Sequence, residues 1–156
     1  MHTVELSKTS VSFSTLIRKI EKKTLTVGVI GLGYVGLPFL VEKAKVGLNV
    51  IGFDRNEQRV KELLAKQSYI DDVSNEDLAL VFDTGNVKMT IDPRVLSEPD
   101  VLVICVPTPL DKNHCPDLSF VESVCHQIKQ VLRPGQLVSL ESTTYPGTTE
   151  ELIKPI

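Results

Sequence analysis

The sequence predicts a doubly wound α/β fold, a mostly parallel sheet with helices on both faces, and three observations carry that prediction. From residue 25 onward, short apolar runs alternate strictly with segments of helical period. The runs at 25–30 (LTVGVI) and 101–106 (VLVICV) are apolar almost throughout, as strands buried on both faces are. The stretch Val27 to Leu40, VGVIGLGYVGLPFL, passes from an apolar run through three glycines and straight into another. Strands joined through helices need crossover connections, which give parallel pairing.

The elements follow in order. Phe13, Leu16, Ile17 and Ile20 fall at i, i+3, i+4 and i+7, so FSTLIRKIEKK reads as a short amphipathic helix packed on the domain or on a partner. Residues 1–23 are therefore expected as a helical extension and 24–156 as the domain proper. After the first strand, a helix is expected from about Tyr34 to Val46, with Pro38 in its first turn, where no intrahelical donor is lost, and Gly47 at its end. NVIGF at 49–53 is the second strand. The next helix runs from about Glu57 to Lys66, capped by Asn56, with Val60, Leu63 and Leu64 as its buried stripe.

Ser74 and Asp77 form a capping pair for a short helix that buries Leu78, Val81 and Phe82. VKMTI at 87–91 is a third strand with an exposed edge, and 101–106 is the fourth. SFVE at 119–122 is an S-x-x-E capping box, and the helix behind it repeats Val121, Val124, Ile128 and Val131 until Pro134-Gly135 stops it. LVSL at 137–140 is the fifth strand. TTEE at 148–151 is a second capping box opening a helix that the sequence leaves unfinished, so the fold is expected to continue in a longer parent, with the domain incomplete at its C-terminus.

Composition excludes several classes of function. A chain of 156 residues, 42% hydrophobic and 24% charged, fits one globular domain with a real core. No apolar run approaches the roughly 18 residues of a membrane span. A net charge of −3 offers no basic field for nucleic acid. Residues 1–23 hold five Lys/Arg against two acids, but Glu5, Glu21 and the lack of an apolar h-region argue against a targeting peptide. Cys105, Cys115 and Cys125 are odd in number and form no C-x-x-C, which fits a reducing compartment and a cytoplasmic protein. The pairs His114-Cys115 and Cys125-His126 match no zinc spacing, so no metal is expected. No sequence feature around Cys115 marks it as a nucleophile.

In open parallel sheets, ligands bind beyond the carboxyl ends of the strands. The segments to weigh are thus 31–36, 54–56, 106–118 and 141–147. GLGYVG matches G-x-G-x-x-G at Gly31, Gly33 and Gly36, with Tyr34 and Val35 between, directly after a strand and opening a helix. Gly31 allows the tight turn, Gly33 clears the approach of a pyrophosphate, and Gly36 lets helix and strand pack closely. The helix N–H groups and dipole then face the phosphates. This is the Rossmann-type dinucleotide arrangement. Asp54, 23 residues after Gly31 at the end of the second strand, can accept the adenine-ribose hydroxyls and repels a 2′-phosphate, which favours NAD over NADP. Arg55 beside it is the group that can pair a 2′-phosphate. A glycine turn used only for packing is the competing reading, and an S-adenosylmethionine site suits the third glycine less well.

In CVPTPL (105–110), Pro107 and Pro109 pin an extended loop where a cofactor would cross the sheet, and Thr108 offers a hydroxyl. A rigid loop without a ligand explains the prolines equally. In ESTTYPGT (141–148), Glu141 closes the strand and Ser142, Thr143 and Thr144 place three hydroxyls at its tip, able to position a nicotinamide amide, a substrate oxygen or a water. A capped helix start accounts for Thr148, but not for Glu141 or Thr143.

The blocks VGVIGLGYVGLP, GFDRNEQRV, CVPTPL, PDLSFV and ESTTYPGTTEE, in this order across about residues 13–156, together resemble the UDP-glucose/GDP-mannose dehydrogenase family. The likeness is strongest to its bacterial UDP-N-acetyl-glucosamine 6-dehydrogenase branch. The resemblance implies oxidation of the C6 alcohol of a UDP-sugar to the acid, with two NAD⁺ and one water, for polysaccharide or O-antigen synthesis. It implies that Gly31, Gly33, Tyr34, Val35, Gly36, Asp54 and Arg55 hold NAD. Pro107, Thr108, Glu141, Ser142 and Thr143 would line the nicotinamide side, with Thr143 placing water and substrate.

The family's nucleophilic cysteine sits in a G-F-G-G-x-C motif, and none of the three cysteines here has those neighbours. Its catalytic lysine and asparagine, its helical dimer core and its UDP-binding domain also fall outside these 156 residues. The sequence thus resembles the NAD-binding amino-terminal part of a homodimeric enzyme, expected not to turn over alone. Two rival readings stay open: an NAD-sensing module without catalysis, and a UDP-glucose, UDP-N-acetyl-mannosamine or GDP-mannose enzyme.

Overall fold

Strands β1 (Thr26–Ile30), β2 (Asn49–Phe53), β3 (Val87–Thr90), β4 (Val101–Ile104) and β5 (Leu137–Leu140) form one parallel sheet in the order β3-β2-β1-β4-β5. The computed structural model describes residues 5–110, 112 and 114–156, with side chains from Phe13 onward. The first four residues of the expected extension, and positions 111 and 113 of the 106–118 segment, lie outside the described residues. The helices are α1 (Glu5–Glu21), α2 (Gly36–Lys45), α3 (Glu57–Leu64), α4 (Asn75–Asp83) and α5 (Ser119–Val131), with a 3₁₀ helix at Pro93–Ser97 and a π-helical turn at Thr149–Ile153.

The apolar strands are buried on both faces because the pleat divides their side chains between two cores. Val27, Val29, Val50 and Val103 pack with Leu37, Leu40 and Val41 of α2, Leu63 of α3 and Leu78 of α4. Ile30, Ile51, Phe53, Leu102 and Ile104 pack on the opposite face with Val95, Leu96, Val121, Val124 and Ile128. Strand order reverses between β1 and β4, so their carboxyl ends diverge into a crevice at this switch point.

Several local expectations are corrected. β4 stops at Ile104, so Cys105 lies just past the strand: its N–H still bonds Ile30 O (2.8 Å), but β1 turns away at Gly31 and the ladder ends. Leu64 is exposed, and α3 buries only Val60 and Leu63. Neither C-terminal capping box forms. Ser119 is already helical, and Asp117 Oδ1 accepts its N–H (2.9 Å) in place of a serine cap. The buried Thr148 donates its hydroxyl to Tyr145 O (2.7 Å), and a π-helical turn replaces the expected α-helix start. Asn56 and Ser74 do cap α3 and α4, accepting from Arg59 N and Asp77 N.

The N-terminal helix exists, but its apolar stripe does not pack as expected. Phe13 is 66% exposed, Ile17 40% and Ile20 49%, and of the stripe Leu16 alone joins the core. Polar contacts anchor the helix instead. Lys19 Nζ donates to Asp100 Oδ1 (2.5 Å), and the buried Asp100 also accepts from Thr26 N (3.1 Å) and from Arg133 (3.3 Å). Arg133 reaches the Ser97, Glu98 and Pro99 carbonyls as well, so this hub joins α1 to the amino ends of β1 and β4.

Burial works against the Asp100 charge, but Lys19, the Thr26 N–H and Arg133 outweigh it and hold the carboxyl below its ordinary pKa. A pKa depressed in the folded state contributes stability above the unfolded-state value and loses it as pH falls through the folded one. Asp100→Asn should therefore lower the unfolding free energy at pH 7 by about 2–4 kcal/mol in urea denaturation. The gap between variant and parent should close in acid.

Candidate functional site

The site is built where the chain leaves β1. Gly31 has φ +89°, and its N–H donates to Phe53 O (2.8 Å), turning the chain over the end of β2. A Cβ on Gly31 would lie 2.6 Å from Cys105 O, and one on Gly36 would lie 1.9 Å from Gly31 O. Both glycines are thus required by close backbone approach. Gly33 differs, since a Cβ there would meet nothing within 4 Å. It borders open space just before α2, whose N-terminus has no side-chain cap and turns the positive end of the helix dipole that way.

A buried carboxylate holds this turn in place. Asp54, 6% exposed, accepts Leu32 N–H at Oδ2 (2.9 Å) and Asn56 N–H at Oδ1 (2.8 Å). Arg59 Nη1 lies 3.7 Å from Oδ2, and its guanidinium sits over the Tyr69 ring, 5.5 Å from the centroid. Tyr69 Oη donates to Leu32 O (2.6 Å), so Leu32 is fixed at both its N–H and its carbonyl. Burial first, and the Asp54 charge second, push the Tyr69 pKa up to about 12, so the hydroxyl stays protonated and donating well into alkaline pH. With the Gly31 and Leu32 N–H groups already engaged, the donors facing the open space begin at Gly33.

Two cavities flank the turn and meet at Val106. One is lined by Gly31, Asp54 and Arg55 together with Ile30, Phe53, Phe120 and Gln127. Arg55 spreads its guanidinium over the Phe120 ring, 4.8 Å from the centroid. The other is lined by Gly33, Tyr34, Val35, Pro107, Thr108, Glu141, Ser142 and Thr143, with Cys105 at its base. Ser142 Oγ donates to Val106 O (2.7 Å) and so ties the tip of β5 to the proline loop. Glu141, exposed at the rim, accepts from Ser139 Oγ (2.8 Å).

The sequence-predicted residues from four separate turns therefore converge on one crevice, with Gly36 behind it as a packing residue. Sequence reasoning missed Val106, Phe120, Gln127, Arg59 and Tyr69. Arg59 was within reach, standing five residues after Asp54 in the first turn of a capped helix. Tyr69 has no local signal, being 37 residues from the carbonyl it holds.

Burial, followed by the Glu141 charge, pushes the Cys105 thiol up to about 11, and burial likewise raises Cys125. Both stay protonated at neutral pH, unsuited to nucleophilic attack. Among the described residues, no three His, Cys, Asp or Glu side chains converge on a metal position, and no helix is long and apolar enough to cross a membrane.

The model of the UDP-glucose/GDP-mannose dehydrogenase family, NAD binding domain, matches residues 25–156. A UDP-N-acetyl-D-glucosamine 6-dehydrogenase of Pseudomonas aeruginosa is 40% identical over 134 residues, 86% of this chain and 31% of that protein. A UDP-N-acetyl-D-mannosamine dehydrogenase of Methanocaldococcus jannaschii is 38% identical over 146 residues, 88% of this chain and 33% of that protein. Among solved structures, a UDP-D-ManNAc dehydrogenase from Pyrococcus horikoshii superposes with TM-score 0.78 at 34% identity, covering 84% of this chain and 31% of that one. A GDP-mannose dehydrogenase from P. aeruginosa, in a ternary complex, gives 0.77 at 30% identity over 83% and 31%. The chain spans about a third of the length of these relatives.

The glycine geometry separates packing from access. Gly36→Ala should cost about 3 kcal/mol of unfolding free energy, because its Cβ meets backbone that cannot yield. Gly33→Ala should change it by less than about 0.5 kcal/mol. Urea denaturation of the two variants side by side measures the contrast.

Proposed function

The chain belongs to the UDP-glucose/GDP-mannose dehydrogenase family as its NAD-binding domain, and from that premise we propose that it holds NAD for the C6 oxidation of a UDP-N-acetylhexosamine, UDP-N-acetyl-glucosamine before its mannosamine epimer. The observation that carries the reading is the open space at Gly33, set between the end of β1 and an uncapped helix N-terminus, with a buried carboxylate one residue beyond β2. The residues present fit a dinucleotide. N–H groups from Gly33 onward take the pyrophosphate, Asp54 takes the adenine-ribose hydroxyls through its remaining lone pairs, and Arg55 borders the adenosine half.

The second cavity receives the nicotinamide, with Thr108, Ser142 and Thr143 offering hydroxyls and Pro107 and Tyr34 shaping its walls. NAD, when bound, supplies the hydride acceptor. Thr143, exposed at the tip of β5, is suited to position a water or the sugar C6 oxygen. With both buried thiols held protonated, residues 24–156 are proposed to bind the cofactor while the covalent chemistry belongs to the remainder of a homodimeric, cytoplasmic enzyme serving polysaccharide synthesis. The preference for glucosamine rests on the P. aeruginosa relative, and residues 1–23 are proposed as an extension to the domain.

Calorimetric titration of Asp54→Ala with NAD⁺ and with NADP⁺ tests the cofactor assignment. NAD⁺ affinity should fall about tenfold or more, since a charge-assisted hydrogen bond is lost. NADP⁺ should lose much less, because repulsion of its 2′-phosphate is relieved. Equal losses for both, in a variant whose circular dichroism matches the parent, would show that Asp54 does not face the ribose.

A further inference from the structure

One polar atom beside the first cavity is left unsatisfied by the protein. Gln127 Oε1 is buried without a hydrogen-bond partner, on a residue that lines the cavity beside Asp54 and Arg55. A buried acceptor without a donor is desolvated with nothing in return, and such atoms call for a specific explanation. Gln127 lies on the face of α5 that also turns Phe120 and Ser123 to the cavity, at i, i+3 and i+7. The walls around it are apolar (Ile30, Phe53, Val124), and the Arg55–Phe120 stack adds a flat, cation-bearing side. A narrow apolar slot with one unmet acceptor complements a planar heteroaromatic ring that carries an exocyclic amine.

We propose that Gln127 selects the base of the dinucleotide: Oε1 accepts the 6-amino N–H of adenine, and the amide N–H donates to the neighbouring ring nitrogen. This is the donor–acceptor match by which glutamine reads adenine elsewhere. A 6-oxo purine would set a carbonyl oxygen against Oε1, acceptor against acceptor. The assignment rests on the NAD reading of this site and adds to it a residue that tells adenine from hypoxanthine.

The test compares NAD⁺ with its 6-oxo analogue, nicotinamide hypoxanthine dinucleotide, by calorimetry on the parent chain and on Gln127→Met, which keeps the length and removes both polar atoms. The parent should bind NAD⁺ about tenfold more tightly than the analogue. In Gln127→Met that ratio should fall close to one, through weaker NAD⁺ binding with the analogue little changed. Its urea midpoint should stay level or rise, because a buried unsatisfied atom has been removed, so failure to fold is not the expected confounder. Equal affinities in the parent, or a ratio the substitution leaves unchanged, would overturn the role of Gln127 while leaving the NAD site standing. A parent chain that binds neither dinucleotide would overturn the NAD reading itself, and this inference with it.

Discussion

The buried carboxylate of Asp54 is the constraint on which the rest of the site depends. It takes one N–H from the glycine turn and one from the start of the following connection, so the end of β2 sets the path of the chain leaving β1. Neither contact is available to a neutral apolar side chain, and the group is too deeply buried for water to replace them. Tyr69 completes the arrangement from the far side of Leu32, so a three-residue turn is held by groups from β2, α3 and the segment after it. A turn fixed in this way keeps its free N–H groups aimed before any ligand arrives, and preorganisation of that kind lowers the ordering cost of binding.

The sheet supplies the place for this device. Reversal of strand order between β1 and β4 leaves a crevice, and the turns after β1, β2, β4 and β5 all open into it. The opposite end of the sheet is closed by the Asp100 hub, where Lys19 and Arg133 gather the strand starts and tie down α1. Polar networks thus serve the two ends differently. One is saturated by the protein's own cations, while the other keeps donors and one acceptor unmet.

The five strands and their parallel pairing were legible because they alternate with helical segments and because β1, β2 and β4 carry the apolar runs of strands buried on both faces, while Gly31, Gly33, Gly36 and Asp54 answer to local geometry. Features decided by a competing local contact or by partners distant in sequence were less legible. The S-x-x-E box at 119–122 matches its pattern, yet Asp117 captures the N–H first. Ile17 and Ile20 have helical spacing, but spacing does not say what a helix packs against, and they remain exposed. Gln127 falls between stripe positions of α5 and reads as an ordinary helix residue until the fold brings it to the cavity.

The most direct test of the account is an amide-resolved NMR titration of this chain with NAD⁺. Pyrophosphate seated on the glycine turn and ribose on Asp54 require the Gly33, Tyr34 and Val35 amides to shift saturably, together with Leu32 and Asn56, whose N–H groups share the Asp54 carboxylate. Residues of the Asp100 hub at the other end of the sheet should stay unmoved. Saturable shifts that bypass Leu32, Gly33 and Asn56 would contradict the account, whatever affinity accompanied them.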